Sequence, residues 1–436
     1  MPLTLQTVPH LTTAQSGPLQ EIESHLLDHR HEIEAWFRKA WLETPAPFYA
    51  SVDLRNAGFK LAPVDTNLFP AGFNNLNPDF KPLCIQALQS AMEHVCPKAE
   101  RLVIIPEKHT RNLFYLESVA TLRDIAEQAG FEAHIGSLNP EHTEPVGFDL
   151  PSGRRLEMAP LEREGNRVSV NGHSPCAILL NNDLSGGRPE ILEDLEQEVL
   201  PPLALGWSDR YKSAHFGEYE SIAREFAALV DIDPWLISPL FSVCKDVDFM
   251  ARGGEECLAR EVDDLLARIR EKYAANGIDR EPFVVIKSDS GTYGMGIMTV
   301  RSADEVRGLN RKQRTRMAKT KEGLTVSRVI LQEGVYTFET IGEEEHVGEP
   351  VVYMIDHFVV GGFYRVHTRK GSDENLNAPG AHFEPLAFAN TCTTPDQTQD
   401  PDAEPNRFYA YGVIARLALL AAARELAAPT EETSAA

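Results

Sequence analysis

The chain has 436 residues, with 42 Lys and Arg against 65 Asp and Glu, and a formal net charge of −23. That negative surplus argues against nonspecific binding to nucleic acid or to an anionic membrane surface, and no apolar run reaches the roughly 18–20 residues of a membrane helix. A composition that is 42% hydrophobic and 25% charged is that of a soluble globular protein, long enough for two or three domains. The first residues lack the basic and apolar regions of a secretory signal. Cys84, Cys96, Cys176, Cys244, Cys257 and Cys392 are scattered without a C-x-x-C pair. A cytoplasmic protein with buried reduced thiols and no zinc site is therefore expected.

In chain order, residues 17–43 carry Ile22, Leu26, Ile33, Phe37 and Trp41 at helical spacing, which predicts a helix. The stretch 51–78 is rich in turn residues and reads as irregular. An alternating pattern follows, with a strand over 102–106, an amphipathic helix over 112–130, a strand over 131–135, a polar hairpin within 157–171 and a strand over 177–180. Strands alternating with helices predict a parallel sheet. Helices are expected over 189–199, 217–230 and 254–275, with a weakly marked boundary near 245–255. Further on, Ser302 and Glu305 have the spacing of a capping box. Strands over 326–334, 350–356, 358–361 and 363–368 suggest antiparallel pairing, 391–405 is a loop, and 407–427 is a last helix before an acidic tail. The expected class is α/β grading into α+β. A helical segment (1–48) precedes a parallel-sheet domain (49–250), a mixed or antiparallel domain (251–428) and a tail (429–436).

The chemistry centres on Phe283–Val300. A β-branched strand ends in Lys287, and Ser290, Gly291, Gly294 and Gly296 follow before an apolar run resumes at Ile297. Glycines let backbone N–H groups approach phosphate oxygens, and the lysine adds positive charge. A P-loop places its lysine after the glycines and opens a helix, and a Rossmann loop also enters a helix. Here the lysine comes first and the loop joins two strands, which resembles the phosphate lid of ATP-grasp enzymes. A glycine-rich hairpin with no ligand is the plain alternative.

Downstream, an apolar strand ends in Gln332, Glu333, Gly334 and Val335, whose backbone could pair with an adenine edge while the Glu333 carboxylate accepts from the amino group or a ribose hydroxyl. Asp356 lies between two apolar strands, Arg365 sits in the second, and a loop with Asp373, Glu374, Asn375 and Asn377 follows. Carboxylate and amide oxygens are the ligands Mg²⁺ prefers, and an arginine there offsets phosphoryl charge; the same residues are also common in turns. The basic run from Arg307 to Lys321 is either a solvated helix face or the border of a polyanion site. Upstream, Arg55, Lys60, Asp65 and Asn67, then Lys108, His109, Arg111 and Asn112, then Asn182 and Asp183 lie in loops or at strand ends, where open α/β sheets place ligands. They are candidates for recognising an amino acid, with capping and loop solvation as the alternative.

The runs IKSDSGTYGMGIMTV, VILQEGV and YMIDHFVVGGFYRVH followed by ENLNAPGAHFEPLAF resemble the proteobacterial ATP-grasp type of glutamate–cysteine ligase. HTRNLFYLESV and ILLNNDLSGG extend the likeness over most of the chain, and bacterial glutathione synthetases are similar at greater distance. The resemblance implies an ATP-grasp catalytic domain over 251–428 behind a substrate-binding domain over 49–250. It implies ATP and Mg²⁺ as cofactors and L-glutamate and L-cysteine as substrates. The product would be γ-glutamylcysteine, formed through an acyl phosphate in the first step of glutathione biosynthesis. Lys287 and the Gly291–Gly296 loop would take the phosphates, Gln332 to Val335 the adenine, and Arg365 the transferred phosphate.

One departure concerns the metal. The family's Glu-x-Asn pair has its sole counterpart after Arg365 in Glu404 and Asn406, within a Pro-rich loop, so Glu374, Asn375, Asn377 and Glu384 compete for the role beside Asp356. The rival readings are a sister carboxylate–amine ligase such as a glutathione synthetase, a nucleotide-binding module without ligase activity, and a kinase. A homo-oligomer is compatible with the sequence.

Overall fold

Leu102 and Ile104 belong to one hydrophobic core and Val103 and Ile105 to another, the two-sided burial of a parallel strand covered on both faces. In the computed structural model, which describes residues 11–12, 18–108, 112–291, 296–318, 325–341, 344–385 and 407–427, that strand is Arg101–Pro106. It lies in a seven-stranded sheet between Ala177–Asn181 and Glu132–Ser137, all parallel, with Glu198–Leu200 on the outer side of Ala177–Asn181. Arg155–Glu164 adds to the other side and carries two antiparallel partners, Val146–Asp149 and Arg167–Val170. The parallel sheet expected from the alternating pattern is present. The 189–199 helix is not: a single turn at Glu190–Leu192 is followed by the Glu198–Leu200 strand, in a stretch closed on both sides by Pro189, Pro201 and Pro202.

A second seven-stranded sheet is antiparallel. Tyr49–Asn56 and Leu61–Asn67 pair with each other, and the first of them pairs with His346–Ile355, which in turn pairs with Phe358–His367 and, through it, Ala381–Pro385 joins. Residues 49–67 are therefore strands where the sequence reads as irregular. In the first of them Ala50, Val52 and Leu54 face the core while Asp53 and Arg55 line the cavity, an alternation that the turn residues on either side of it obscure in the sequence. The sheet also joins residues from both sides of the expected boundary near 250. Phe358–His367 is one strand rather than two, bulged where Tyr353 meets Met354 across from Gly361.

The third sheet, Phe241–Cys244, Val329–Glu333, Val284–Ser288 and Ile297–Val300, is antiparallel throughout. Its outer face packs Ile286, Met298 and Leu331 against Leu258, Val262, Leu265 and Ile269 of the Glu255–Ala275 helix. The expected 17–43 helix is two, Pro18–Asp28 and Arg30–Glu43, interrupted at His29. Ser302 precedes the Ala303–Arg307 helix but makes no side-chain cap; the capping box forms at Asn310 and Gln313 instead.

The Arg407–Ala427 helix is buried on all sides from Tyr409 to Ala423, as expected of an apolar helix that runs through a protein interior. Among the described residues, no helix is long and apolar enough to cross a membrane. Cys96 and Cys176 form a disulfide across 80 residues, so the thiols are not all free as expected. Both sit at the same end of paired strands, since Leu102 is the register partner of Ala177, a proximity that sequence spacing does not show. Cys84, Cys244 and Cys257 are free, and Cys392 lies outside the described residues.

Two buried ion pairs fasten the last helix. Arg416 holds Glu34 at 2.8 Å, and Glu425 accepts from Arg210 at 2.8 and 3.0 Å and from His215. Burial acts to raise the Glu425 carboxyl, but Arg210 and His215 outweigh it and hold it at about 2. This stabilisation is present above the ordinary carboxyl range near 4.3 and is lost as pH falls toward about 2. Urea denaturation at neutral pH should show Glu425→Gln less stable by about 3 kcal/mol, with the difference from wild type shrinking below about pH 4; a constant difference down to pH 3 would contradict the pairing.

Candidate functional site

A cavity with about 860 Å³ of empty space, mouth included, lies between the second and third sheets. Strand alternation builds one wall. In the third sheet Lys287 faces Ile297 in register, Val285 faces Thr299 on one side and Gln332 on the other, and all five line the cavity. Their neighbours Val284, Ile286 and Leu331 point the other way into the core under the Glu255–Ala275 helix. Lys287 donates to Val64 O at 2.8 Å and to Gln332 Oε1 at 2.7 Å. Burial pushes its ammonium down to about 8, with Asp65 opposing.

The facing wall is a strip of charge on the second sheet. Arg365 and Glu349 are register partners on adjacent strands. Arg365 donates to Glu349 at 2.6 Å and to Asp53 at 2.8 Å, and Arg55 donates to the other Glu349 oxygen at 2.9 Å. Burial alone would raise the Glu349 carboxyl, but the two arginines outweigh it and lower it. Burial likewise opposes the charge on Arg365, and Asp53 and Glu349 more than restore it. Arg55 also donates to Val335 O, Ser372 O and Glu374 O, drawing the 372–374 loop to the cavity edge. At the other end Lys212 holds Asp65 at 2.7 Å and lies 4.0 Å over the Trp207 ring. Burial raises Asp65, but Lys212 and Lys287 dominate and keep it at about 2.

The root of the glycine loop is locked. Asp289, fully buried, accepts from Ser213 N and Oγ at 2.7 Å each and from Arg328, while its own carbonyl accepts from Lys212 N at 2.7 Å. The strand that carries Lys287 and the helix that begins at Lys212 are thereby held together. Gly291 and Gly296 adopt φ of 90° and 64°, a region in which a side chain is strained. Gly291 lines the cavity, Ser290 adjoins it in the chain, and Gly294 lies outside the described residues.

The structure sorts the remaining sequence candidates. Lys287, Gly291, Gln332, Val335, Arg365, Glu374, Asn375, Asn377, Arg55 and Asp65 come together around the one cavity, and Glu333 borders it as well. The Glu333 carboxylate, however, faces the other side of the sheet, where Lys60 binds it at 2.7 Å, Trp235 Nε1 at 3.1 Å and Leu240 N at 2.9 Å. It is not placed to accept from a nucleotide.

Asp356 is not at the cavity. It turns the hairpin between His346–Ile355 and Phe358–His367 with φ of 51°, and its carboxylate accepts from His357 N at 2.8 Å. Glu384 is the register partner of Tyr364, so it projects from the sheet face opposite Arg365. Asn67 closes an Asx turn on Phe69, Asn112 caps the Leu113–Gln128 helix, Asn182 binds Leu184 N and Asp183 binds Ser185 N. These four do the capping work that was the alternative. His109 and Arg111 lie outside the described residues, as do Glu404 and Asn406. In the basic run, Arg307 pairs with Glu256 and Asp304 and Arg316 binds Ile297 O; the described part reads as a helix face, and none of its residues lines the cavity.

Sequence reasoning missed Asp53, Lys212 and Glu349, all of which line the cavity, whereas Asp373, read with its loop, lines it as expected. The spacing of Asp53 and Arg55, two apart, was a usable signal once that segment is read as a strand. Glu349 could be found only through its register with Arg365.

A family model described as glutamate-cysteine ligase matches residues 23–426. The chain is similar to the crystal structure of a protein provisionally named gamma-glutamylcysteine synthetase from Methylobacillus flagellatus, with 63% identity over 96% of this chain and 99% of that one and a TM-score of 0.88. Likenesses to a D-alanyl-alanine synthetase A from Vibrio cholerae, at 10% identity over 73% of this chain and 80% of that one (TM-score 0.35), and to a glutathione synthetase-like effector from Globodera pallida, at 10% identity over 82% of each chain (TM-score 0.38), are too slight to carry an argument. No curated protein matches the chain significantly.

The buried lysine gives a direct check on the site's electrostatics. Acylation of Lys287 by a small amine-reactive reagent, followed by peptide mass mapping, should titrate with a midpoint of about 8. A midpoint near the value of about 10.4 typical of exposed lysines would contradict this electrostatic picture.

Proposed function

The chain belongs to the glutamate–cysteine ligase family, ATP-dependent ligases that join glutamate to cysteine as γ-glutamylcysteine, and we propose that the cavity between the two antiparallel sheets is its active site. One observation carries this reading. Among the described residues, Gln332 Nε2 and Arg365 Nε are buried without a hydrogen-bond partner, and both residues line the cavity beside Lys287. A buried unpaired donor costs about 1–3 kcal/mol, and a nucleotide offers acceptors to both, phosphate oxygens to Arg365 and base or ribose atoms to Gln332.

A free carboxylate is a poor acyl donor, so ATP supplies a leaving group. The side-chain carboxylate oxygen of glutamate attacks the γ-phosphorus, the bond to the bridging oxygen breaks, and ADP departs. The amine of cysteine then attacks the carbonyl carbon of the acyl phosphate, the C–O bond breaks to release phosphate, and the amine loses a proton. The residues' task is position and charge. Lys287 and Arg365 offset negative charge on the phosphates, and Glu349 and Asp53 hold the Arg365 guanidinium in one orientation. Asp65 and Lys212 present opposite charges side by side, which suits the ammonium and carboxylate of an amino acid. Arg55, already committed to four acceptors, acts on substrate through the wall it organises.

Asp373, Glu374, Asn375 and Asn377 line the same edge of the cavity and are the oxygen donors Mg²⁺ takes. Glu374 accepts from Lys370 and Gly371 N, Asn375 from Asn377 N and Asp373 from Arg301, so the ion would exchange some of these partners. Bound there, Mg²⁺ would neutralise charge on the transferring phosphoryl group.

With glutamate labelled by ¹⁸O in its side-chain carboxylate, one label should appear in inorganic phosphate, and sustained phosphate release should need both glutamate and cysteine. Lys287→Ala and Arg365→Ala should each lower kcat by about 10²–10³, with Arg365→Lys as the variant that keeps a cation for Asp53 and Glu349. Unlabelled phosphate, release without cysteine, or wild-type turnover in both alanine variants would overturn the assignment.

A further inference from the structure

Outside the cavity, one group of side chains has the composition of a metal centre. Glu132 and His134 stand two apart on the Glu132–Ser137 strand and so share a face. His173 reaches them from the turn that follows Arg167–Val170. Glu132 Oε1 lies 3.0 Å from His134 Nε2 and 3.9 Å from His173 Nδ1, and the three donor atoms all fall within 4.8 Å of one another. We propose that Glu132, His134 and His173 form a binding site for a divalent d-block cation of the zinc type, separate from the Mg²⁺ assigned to the cavity.

The geometry suits such an ion. Tetrahedral bonds of about 2.0–2.1 Å place donor atoms about 3.4 Å apart, which the two shorter separations bracket. Two imidazoles and one carboxylate are a donor set for Zn²⁺, Co²⁺, Ni²⁺ or Cu²⁺, whereas Mg²⁺ takes oxygen. His134 and His173 stack with ring centroids 4.7 Å apart and 9° between planes, so the two imidazoles sit side by side over the Glu132 carboxylate.

The parts are held in place beforehand. Asn171 and Gly172 have φ of 51° and 74°, the left-handed pair of a two-residue hairpin turn. Val170 and His173 exchange backbone hydrogen bonds of 3.1 and 2.9 Å across that turn, which fixes where the His173 side chain starts. Arg101, the register partner of Glu132, binds its second oxygen at 2.9 Å, leaving the first to face the histidines, as outer partners of metal ligands do. A plain ion pair between Glu132 and His134 would account for neither the third ligand nor this support, and an exposed pair is worth little.

The location separates this site from catalysis. Glu132 is the first residue of its strand. The opposite ends of the parallel strands lead to the 182–188 loop, where Asp183 O accepts from Trp207 N, and Trp207 lies under Lys212 at the cavity. A cation here would clasp the hairpin to the sheet without touching the substrate site. With three protein ligands, water or an external donor completes the fourth position.

The test uses the full chain, treated with chelator and titrated with Co²⁺ alone, then with Zn²⁺ in competition, with ATP and Mg²⁺ omitted. Wild type should bind one Co²⁺ with the visible bands of a low-symmetry nitrogen–oxygen site, and saturation should raise Tm. Binding should weaken as pH falls, because protons compete with the metal for its donor atoms. His134→Ala and His173→Ala should each abolish the bands and the Tm rise, and Arg101→Ala should weaken binding about tenfold. Turnover with Mg²⁺ and ATP should be unchanged in all three, which shows that they are folded; His173→Gln replaces any alanine variant that is not. An ion held in the cavity would survive both histidine substitutions. Unchanged Co²⁺ affinity in the histidine variants, or no saturable binding by wild type, overturns the proposal.

Discussion

The Glu349 carboxylate, 3% exposed, is shared by two buried arginines that would otherwise repel each other. Burying one guanidinium without a partner is costly, and burying two on the strands that flank Glu349 is worse. Glu349 and Asp53 match Arg55 and Arg365 two carboxylates to two guanidiniums; burial raises the Asp53 carboxyl, while at Glu349 burial is outweighed by the arginines, which hold the carboxyl low. Its reach goes beyond the sheet that carries it. Arg55 extends to Val335 O at the end of the third sheet and to Ser372 O and Glu374 O in the loop beyond. The spacing between the two walls of the cavity, and the position of its oxygen-rich edge, follow from this one carboxylate.

The third sheet answers with a division of labour by parity. Lys287 and Gln332 point inward, while Ile286 and Leu331 point outward into the core. Behind the wall a second buried pair, Lys60 with Glu333, is covered by Trp235, whose ring lies 4.2 Å from the Lys60 ammonium. Burial pushes Lys60 down to about 8, with Glu333 opposing. One strand, Val329–Glu333, thus supplies a polar group to each face, a cavity donor at Gln332 and a structural anchor at Glu333. Asp289 completes the frame by joining the root of the glycine loop to the helix that carries Lys212.

What could be read from the sequence follows from which faces are dry. Residues 102–106, Ala177–Asn181 and residues 409–423 are buried on every side, so their apolar runs mark them plainly. The glycine hairpin is legible because left-handed backbone at Gly291 and Gly296 demands glycine. Tyr49–Asn56 does alternate, with Ala50, Val52 and Leu54 in the core opposite Asp53 and Arg55, but Gly58, Pro63 and Pro70 give the stretch the composition of a loop. Nearness in sequence also misleads. Asp356 and Arg365 look grouped, yet they stand near opposite ends of a ten-residue strand, about 30 Å apart at 3.3 Å per residue. The true neighbour of Arg365 is Glu349, brought there by hairpin register. Family resemblance conveyed the chemistry of the site, but the partners that hold each group in place are tertiary and needed the structure.

The claim on which the account turns is that the donors unpaired at Gln332 Nε2 and Arg365 Nε await a nucleotide. A crystal structure with a non-hydrolysable ATP analogue tests it directly. The expected result is an analogue lying between the two sheets, with both donors gaining acceptors from it and Lys287 near its phosphates. An analogue bound elsewhere, with both donors still unpaired, would contradict the account.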